Sequence, residues 1–134
     1  MKAADAITAA LHKMVVAVNE GDLQAVLAAF ADSAVIIEDI PPYRWDGPGA
    51  VMAWLQAMGA NAQRLGVTRI TMELIASIRT EVDGSRAYSI QAGQLSLGAG
   101  GSELTADGQL TFTLVEQNDV WLIDSLVWSG SRPG

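Results

Sequence analysis

Two carboxylates on otherwise apolar strands are the residues of this chain best suited to chemistry. Glu38 closes the run Ser33-Ala34-Val35-Ile36-Ile37, just ahead of Asp39 and the turn residues Pro41 and Pro42. A carboxylic acid at the end of a buried strand, among tryptophans such as Trp45 and Trp54, loses hydration, and its pKa rises. An acid titrating near neutral pH can take and return a proton, as a general base or acid does. Asp124 interrupts the apolar segment Val120-Trp121-Leu122-Ile123, which continues as Ser125-Leu126-Val127-Trp128. By strand alternation Asp124 shares a face with Leu122, Leu126 and Trp128. Two acids in one apolar cavity push their pKa values apart and can divide acid and base roles. Each has a plainer reading. Glu38 could be a solvated strand-end carboxylate, and Asp124 could point to solvent or an interface from the opposite face.

Met14, Trp54 and Trp128 are candidate walls of a substrate pocket. Tyr88 and Gln94 are candidate hydrogen-bonding groups on the face shared by Ile90 and Ala92. Core packing is the alternative for each of these. Tyr43, Arg44 and Trp45 lie in a proline-led loop, where Arg44 could meet an anionic group or form a surface ion pair. His12, the single histidine, sits beside Lys13 and off the apolar stripe, so an exposed position is expected. A lone histidine without an acid pair makes neither a triad nor a metal site. Gly98 to Gly101 joins two strands and lacks the helix that a phosphate loop needs. No metal, nucleotide or flavin signature is present, and no cofactor is expected.

The elements that must hold these residues follow from periodicity. Ile7, Leu11, Met14, Val15 and Val18 recur at helical spacing. Gly21 stops that helix and Asp22 caps the next. Leu23, Val26, Leu27 and Phe30 give the second helix its apolar side. Ser33 to Ile37 reads as a buried strand, Pro41 to Trp45 as a loop, and Pro48 as the first residue of a third helix running to about Arg64. From Thr68 the period becomes two. Strands are expected to about Val82, from Arg86 to Leu97, from Leu104 to Gln117 and from Val120 to Ser129. Turns fall at Asp83-Gly84, Gly98 to Ser102 and Asn118-Asp119, and the tail Gly130 to Gly134 is expected to be loose. Helices first and strands after imply an α+β fold, with a four-stranded antiparallel meander and one early strand added.

The bulk numbers exclude several classes. At 134 residues, one domain spanning 1–134 is expected. The net charge is −7 and the pI about 4.4, so nucleic acid and anionic membrane surfaces are poor partners. Cysteine is absent, which removes disulfides and thiolate chemistry. Neither a signal peptide nor a membrane-length apolar stretch is read, so a cytoplasmic location is expected. Half the residues are hydrophobic and mean hydropathy is +0.25, which leaves apolar surface for a pocket or a partner.

The segment from Asn19-Glu20-Gly21-Asp22-Leu23 through Phe30-Ala31-Asp32-Ser33-Ala34 to Trp45-Asp46-Gly47 resembles the opening of the nuclear transport factor 2-like domains, in their SnoaL-like and ketosteroid-isomerase-like branch. The resemblance is closest from about Ile7 to Leu55. It implies a cystatin-like cone: three N-terminal helices packed on a curved, mostly antiparallel sheet around an apolar pocket. It also implies a catalytic carboxylate at Glu38, because Ala34, Ile36 and Glu38 share one face. The family's tyrosine oxyanion donor falls at Met14, and its protonated aspartic acid falls near Leu110. Both donors are therefore absent, which argues against steroid isomerisation by the family's mechanism.

Two functional readings follow. One is a cofactor-free isomerase, cyclase or dehydratase acting on a small hydrophobic carbonyl or cyclic compound, with Glu38 and Asp124 as catalytic groups. Met14, Tyr43, Trp54, Tyr88, Leu110 and Trp128 would then contact the substrate. The other is a non-catalytic ligand-binding or dimerisation module. Either reading leaves Ile75, Val115, Trp121, Ile123 and Val127 on the open sheet face, where a homodimer is expected.

Overall fold

The structure, a computed structural model, describes residues 2–130. Residues 131–134, most of the tail expected to be loose, lie outside the described residues. Helix α1 (Ala3–Glu20) buries Ile7, Leu11, Met14 and Val15, the stripe its spacing predicts. It ends where Gly21 adopts a left-handed φ of 69°. The N–H groups of Gly21 and Asp22 then return to the carbonyls of Val18 and Ala17. The Asp22 side chain accepts from the Ala25 N–H at 3.2 Å and caps α2 (Leu23–Ala28).

Helix α2 is shorter than its apolar pattern suggests. Phe30 opens strand β1 (Phe30–Ile37) instead of closing the helix. The segment expected to be wholly loop contains a two-residue strand, β2 (Arg44–Trp45), paired antiparallel to Ile36 and Ile37. The prolines are the reason it is short and lies at the sheet edge. Helix α3 (Ala50–Arg64) starts one residue after Gly49, whose φ is 83°, so Pro48 stands outside it. Strands β3 (Arg69–Asp83), β4 (Arg86–Ala99), β5 (Ser102–Gln117) and β6 (Val120–Gly130) form the meander.

The six strands make one sheet in the order β2-β1-β6-β5-β4-β3. Only β1 and β6 run parallel; the other pairs are antiparallel. Helix α1 lies against β3 and β6, and α3 against β1 and β2. The Asn19 side chain ties α1 to the sheet: its amide donates to the Met72 carbonyl at 2.7 Å, and its oxygen accepts the Met72 N–H at 2.9 Å. The inner face carries Ala34 and Ile36 of β1, Leu110, Phe112 and Leu114 of β5, and Ile123, Leu126 and Trp128 of β6. No helix among the described residues is long and apolar enough to cross a membrane.

A bulge resets β6. Ile123 pairs with Leu114 and Ser125 with Thr113, so Asp124 is one residue too many for simple alternation. Trp121 and Ile123 before it and Leu126 and Trp128 after it are therefore all buried. This corrects the expectation that Trp121 and Ile123 lie on the open face. Two further register shifts in β3, at Leu74/Ala76 and Ser77/Arg79, leave Ile75 and Ile78 exposed.

The Trp128 indole is seated among glycines. A Cβ on Gly108 would press on the Ser129 carbonyl and lie 2.8 Å from the indole; one on Gly130 would lie 2.5 Å from it. Gly108→Ala is therefore expected to cost about 1–3 kcal/mol by overpacking. Urea unfolding measures this, and an unchanged midpoint would contradict so close an approach.

Candidate active site

Glu38 follows the last residue of β1 and continues the inward face of Ala34 and Ile36. Its N–H donates to the Tyr43 carbonyl at 3.1 Å, which closes the return loop. Tyr43 takes a left-handed φ of 73° there, a conformation unfavourable for a bulky residue. The Glu38 residue is only 6% exposed. Burial pushes its carboxyl from 4.5 up to about 7, the adjacent Asp39 charge adds to the rise, and the Trp54 indole opposes it. No cation among the described residues pairs with it.

Trp54 comes from α3 and is fully buried, with its ring edge-on to Phe30 at 6.2 Å. Its Nε1–H lies beside the Glu38 carboxyl, near enough to favour the ionised form, but outside hydrogen-bond geometry. That nitrogen has no hydrogen-bond partner among the described residues. Met14 and Leu110 are also fully buried, and Trp128 nearly so. The inner face thus brings Glu38, Met14, Trp54, Leu110 and Trp128 together on one side of the sheet.

Asp124 is not among them. At the bulge its side chain turns outward, accepting from the Ser33 hydroxyl at 3.2 Å and facing the Arg86 guanidinium at 3.5 Å. This corrects the expectation from plain alternation that it joins Glu38. Tyr88 also lies on the outer face, 5.8 Å below the Arg79 guanidinium, and further along the same strand Gln94 donates to Asp107 at 2.8 Å. The cause is register: Ala87, Ser89 and Gln91 pair with Leu114, Phe112 and Leu110, and must face inward with them. Asp124, Tyr88, Arg86, Glu81 and Asp83 instead line an open concavity of ≈ 550 Å³. A second, of ≈ 430 Å³, lies between Leu27, Phe30, Asp32 and the Gly47 to Val51 segment. Glu38 lines neither. Tyr43 is 57% exposed, and Arg44 pairs with Asp46 at 2.9 Å on the surface.

Sequence reasoning missed two buried polar residues, Ser89 and Gln91. The Gln91 amide donates to Ser89 at 2.9 Å and to Ser77 at 3.2 Å, and Ser89 is 2.9 Å from the Thr80 hydroxyl. The signal was faint, since Ser89, Gln91 and Gly93 alternate with the more apolar Tyr88, Ile90 and Ala92. Among the described residues, no group of three His, Asp or Glu side chains could hold a metal ion.

The profile of the SnoaL-like domain matches residues 1–127. No curated protein matches the sequence. Among solved structures, a Novosphingobium aromaticivorans protein carrying the name scytalone dehydratase superposes with a TM-score of 0.80 at 12% identity, over 97% of this chain and 85% of its own. The LinA-type3 hexachlorocyclohexane dehydrochlorinase of Novosphingobium barchaimii gives 0.78 at 14% identity, over 97% and 87%. Rv3472 of Mycobacterium tuberculosis, a protein of unknown function, gives 0.74 at 20% identity, over 95% and 70%. Helices packed on a curved six-stranded sheet and a family match along nearly the whole sequence agree: the chain belongs to the SnoaL-like family and has the nuclear transport factor 2-like cone fold.

Proposed function

We propose that this protein is a cofactor-free acid/base enzyme in which Glu38 moves a proton on a small hydrophobic carbonyl or cyclic substrate. The observation that carries the reading is a carboxyl buried on the inner face, with no cation among the described residues to fix its charge; that burial pushes its pKa up to about 7. Such a group exists in both forms near pH 7, as proton transfer requires. Of isomerase, cyclase and dehydratase chemistry, the apolar surroundings favour elimination. With Met14 and Leu110 where oxygen donors would stand, an enolate oxygen gains no stabilisation from these positions. In a dehydration the proton that Glu38 takes from carbon can be handed to the departing hydroxyl. That group leaves as water as the C–O bond breaks and the C=C bond forms, so no charge stays in the apolar site. The names of two structural neighbours, a dehydratase and a dehydrochlorinase, describe reactions of that kind. In this reading Asp124 takes no part in the chemistry. Met14, Trp54, Leu110 and Trp128 shape the substrate's apolar contacts.

The test follows proton movement without a known substrate. Wild type and Glu38→Gln are incubated in deuterated water with small cyclic ketones and β-hydroxyketones. Deuterium uptake and loss of water are followed by NMR. The substitution is expected to reduce the wild-type rate by about 10²–10⁴-fold. Equal rates would remove Glu38 as the proton-transfer group.

A binding or dimerisation module is the second reading, and one observation favours it. Met14, Trp54, Leu110 and Trp128 fill inner positions, while Ile75, Ile78 and Tyr88 remain exposed. A homodimer through the outer sheet face would cover them. Light scattering at micromolar concentration should then show a dimer, and monomer alone would contradict it.

A further inference from the structure

We infer that Trp54 positions Glu38 as a base: its indole N–H becomes the hydrogen-bond donor to the carboxylate once the proton has left. Two unmatched groups lie side by side. The Trp54 Nε1–H is wholly buried and has no acceptor among the described residues. The Glu38 carboxyl accepts no hydrogen bond from any described side chain. A buried donor left without a partner is unfavourable, and a charge-assisted bond to a carboxylate is among the stronger ones available.

The two sides differ in freedom. Trp54 is fixed in α3 and packed edge-on against Phe30, so its N–H cannot turn to water. Glu38 stands past the end of β1, where its side chain keeps a trace of exposure. Ionisation gives the carboxyl a reason to rotate toward the indole, and reprotonation removes it. The bond would also hold the carboxylate in one orientation, as a base needs.

Among the described residues no other charge competes for the role. Asp39 is the charged neighbour acting on Glu38, and it opposes ionisation. The inner-face residues of the elements packed around the strand, Met14 of α1, Leu110 of β5 and Trp128 of β6, are uncharged. Arg44 of β2 is engaged with Asp46 on the surface.

The inference deepens the acid/base reading of Glu38 and rests on it, yet its test needs no substrate. With ¹⁵N-labelled tryptophan, the four indole N–H groups, of Trp45, Trp54, Trp121 and Trp128, are followed from acid to alkaline pH. The Trp54 resonance should move downfield with the same midpoint as the Glu38 carboxyl carbon, and should stay still in Glu38→Gln. Trp54→Phe keeps an apolar ring and removes the donor, so the Glu38 midpoint should rise by roughly one unit. An indole resonance that ignores the Glu38 titration would overturn the inference, as would an unchanged midpoint in Trp54→Phe. If that variant does not fold, the wild-type indole titration decides alone. Coupled titration without catalysis would sink the enzyme reading and leave this bond standing. Catalysis with an uncoupled indole would do the reverse.

Discussion

Glu38→Gln is expected to stabilise the protein above neutral pH, by about 3 kcal/mol relative to wild type, because each unit of pKa shift is worth about 1.4 kcal/mol. Burial raises the Glu38 carboxyl from 4.5 to about 7 in the folded state. The folded protein therefore holds this proton more tightly than the unfolded chain. Wild-type stability from this group is fully present below 4.5, declines as pH rises, and has been lost once pH passes about 7. Glutamine carries no charge to desolvate, so the decline should vanish in the variant. Urea unfolding followed by tryptophan fluorescence, repeated across pH, reads the difference. The two proteins should converge near pH 4 and separate progressively to pH 8. Parallel curves across that range would mean that Glu38 is not desolvated.

Trp54→Ala should cost about 3–5 kcal/mol, the range for deleting a buried aromatic side chain. Trp54 is fully buried and loses its edge-on contact with Phe30. Against a typical domain stability of about 5–15 kcal/mol this is severe. The comparison is best made near pH 5, where Glu38 is mostly protonated and the wild type retains most of its contribution. A second effect separates this variant from Trp54→Phe. The cavity left by alanine admits water beside Glu38, which relieves desolvation and lowers its pKa toward 4.5. Phenylalanine keeps the site dry and removes only the donor, so the pKa should move up. A loss below 1 kcal/mol in Trp54→Ala would show that Trp54 is not the core residue described here.

Much of the scaffold was legible in the sequence because its signals are local. Gly21 and Asp22 mark the break between α1 and α2 through backbone conformation and capping alone. Glu38 could be placed inward because β1 runs without a bulge from Val35 to Ile37, beside Ser125 to Val127 of β6. Asp124 could not, because a bulge at that residue breaks the alternation on which the reading depended. Nothing in Ile123-Asp124-Ser125 announces the extra residue. Tyr88 failed for a different reason. Its face is more apolar than that of Ser89 and Gln91, but β5 dictates which side of β4 turns inward. The choice of face is a property of the paired sheet and is not encoded in one strand. The glycines under Trp128 have the same character: their role depends on a residue from another strand.

The most direct measurement is a ¹³C NMR titration of the Glu38 carboxyl, assigned by its disappearance in Glu38→Gln. A midpoint near 7 is expected, the value a desolvated, unpaired carboxyl would have. A midpoint in the ordinary glutamate range, about 4–5, would mean a solvated strand-end carboxylate and would contradict its role as the proton-transfer group.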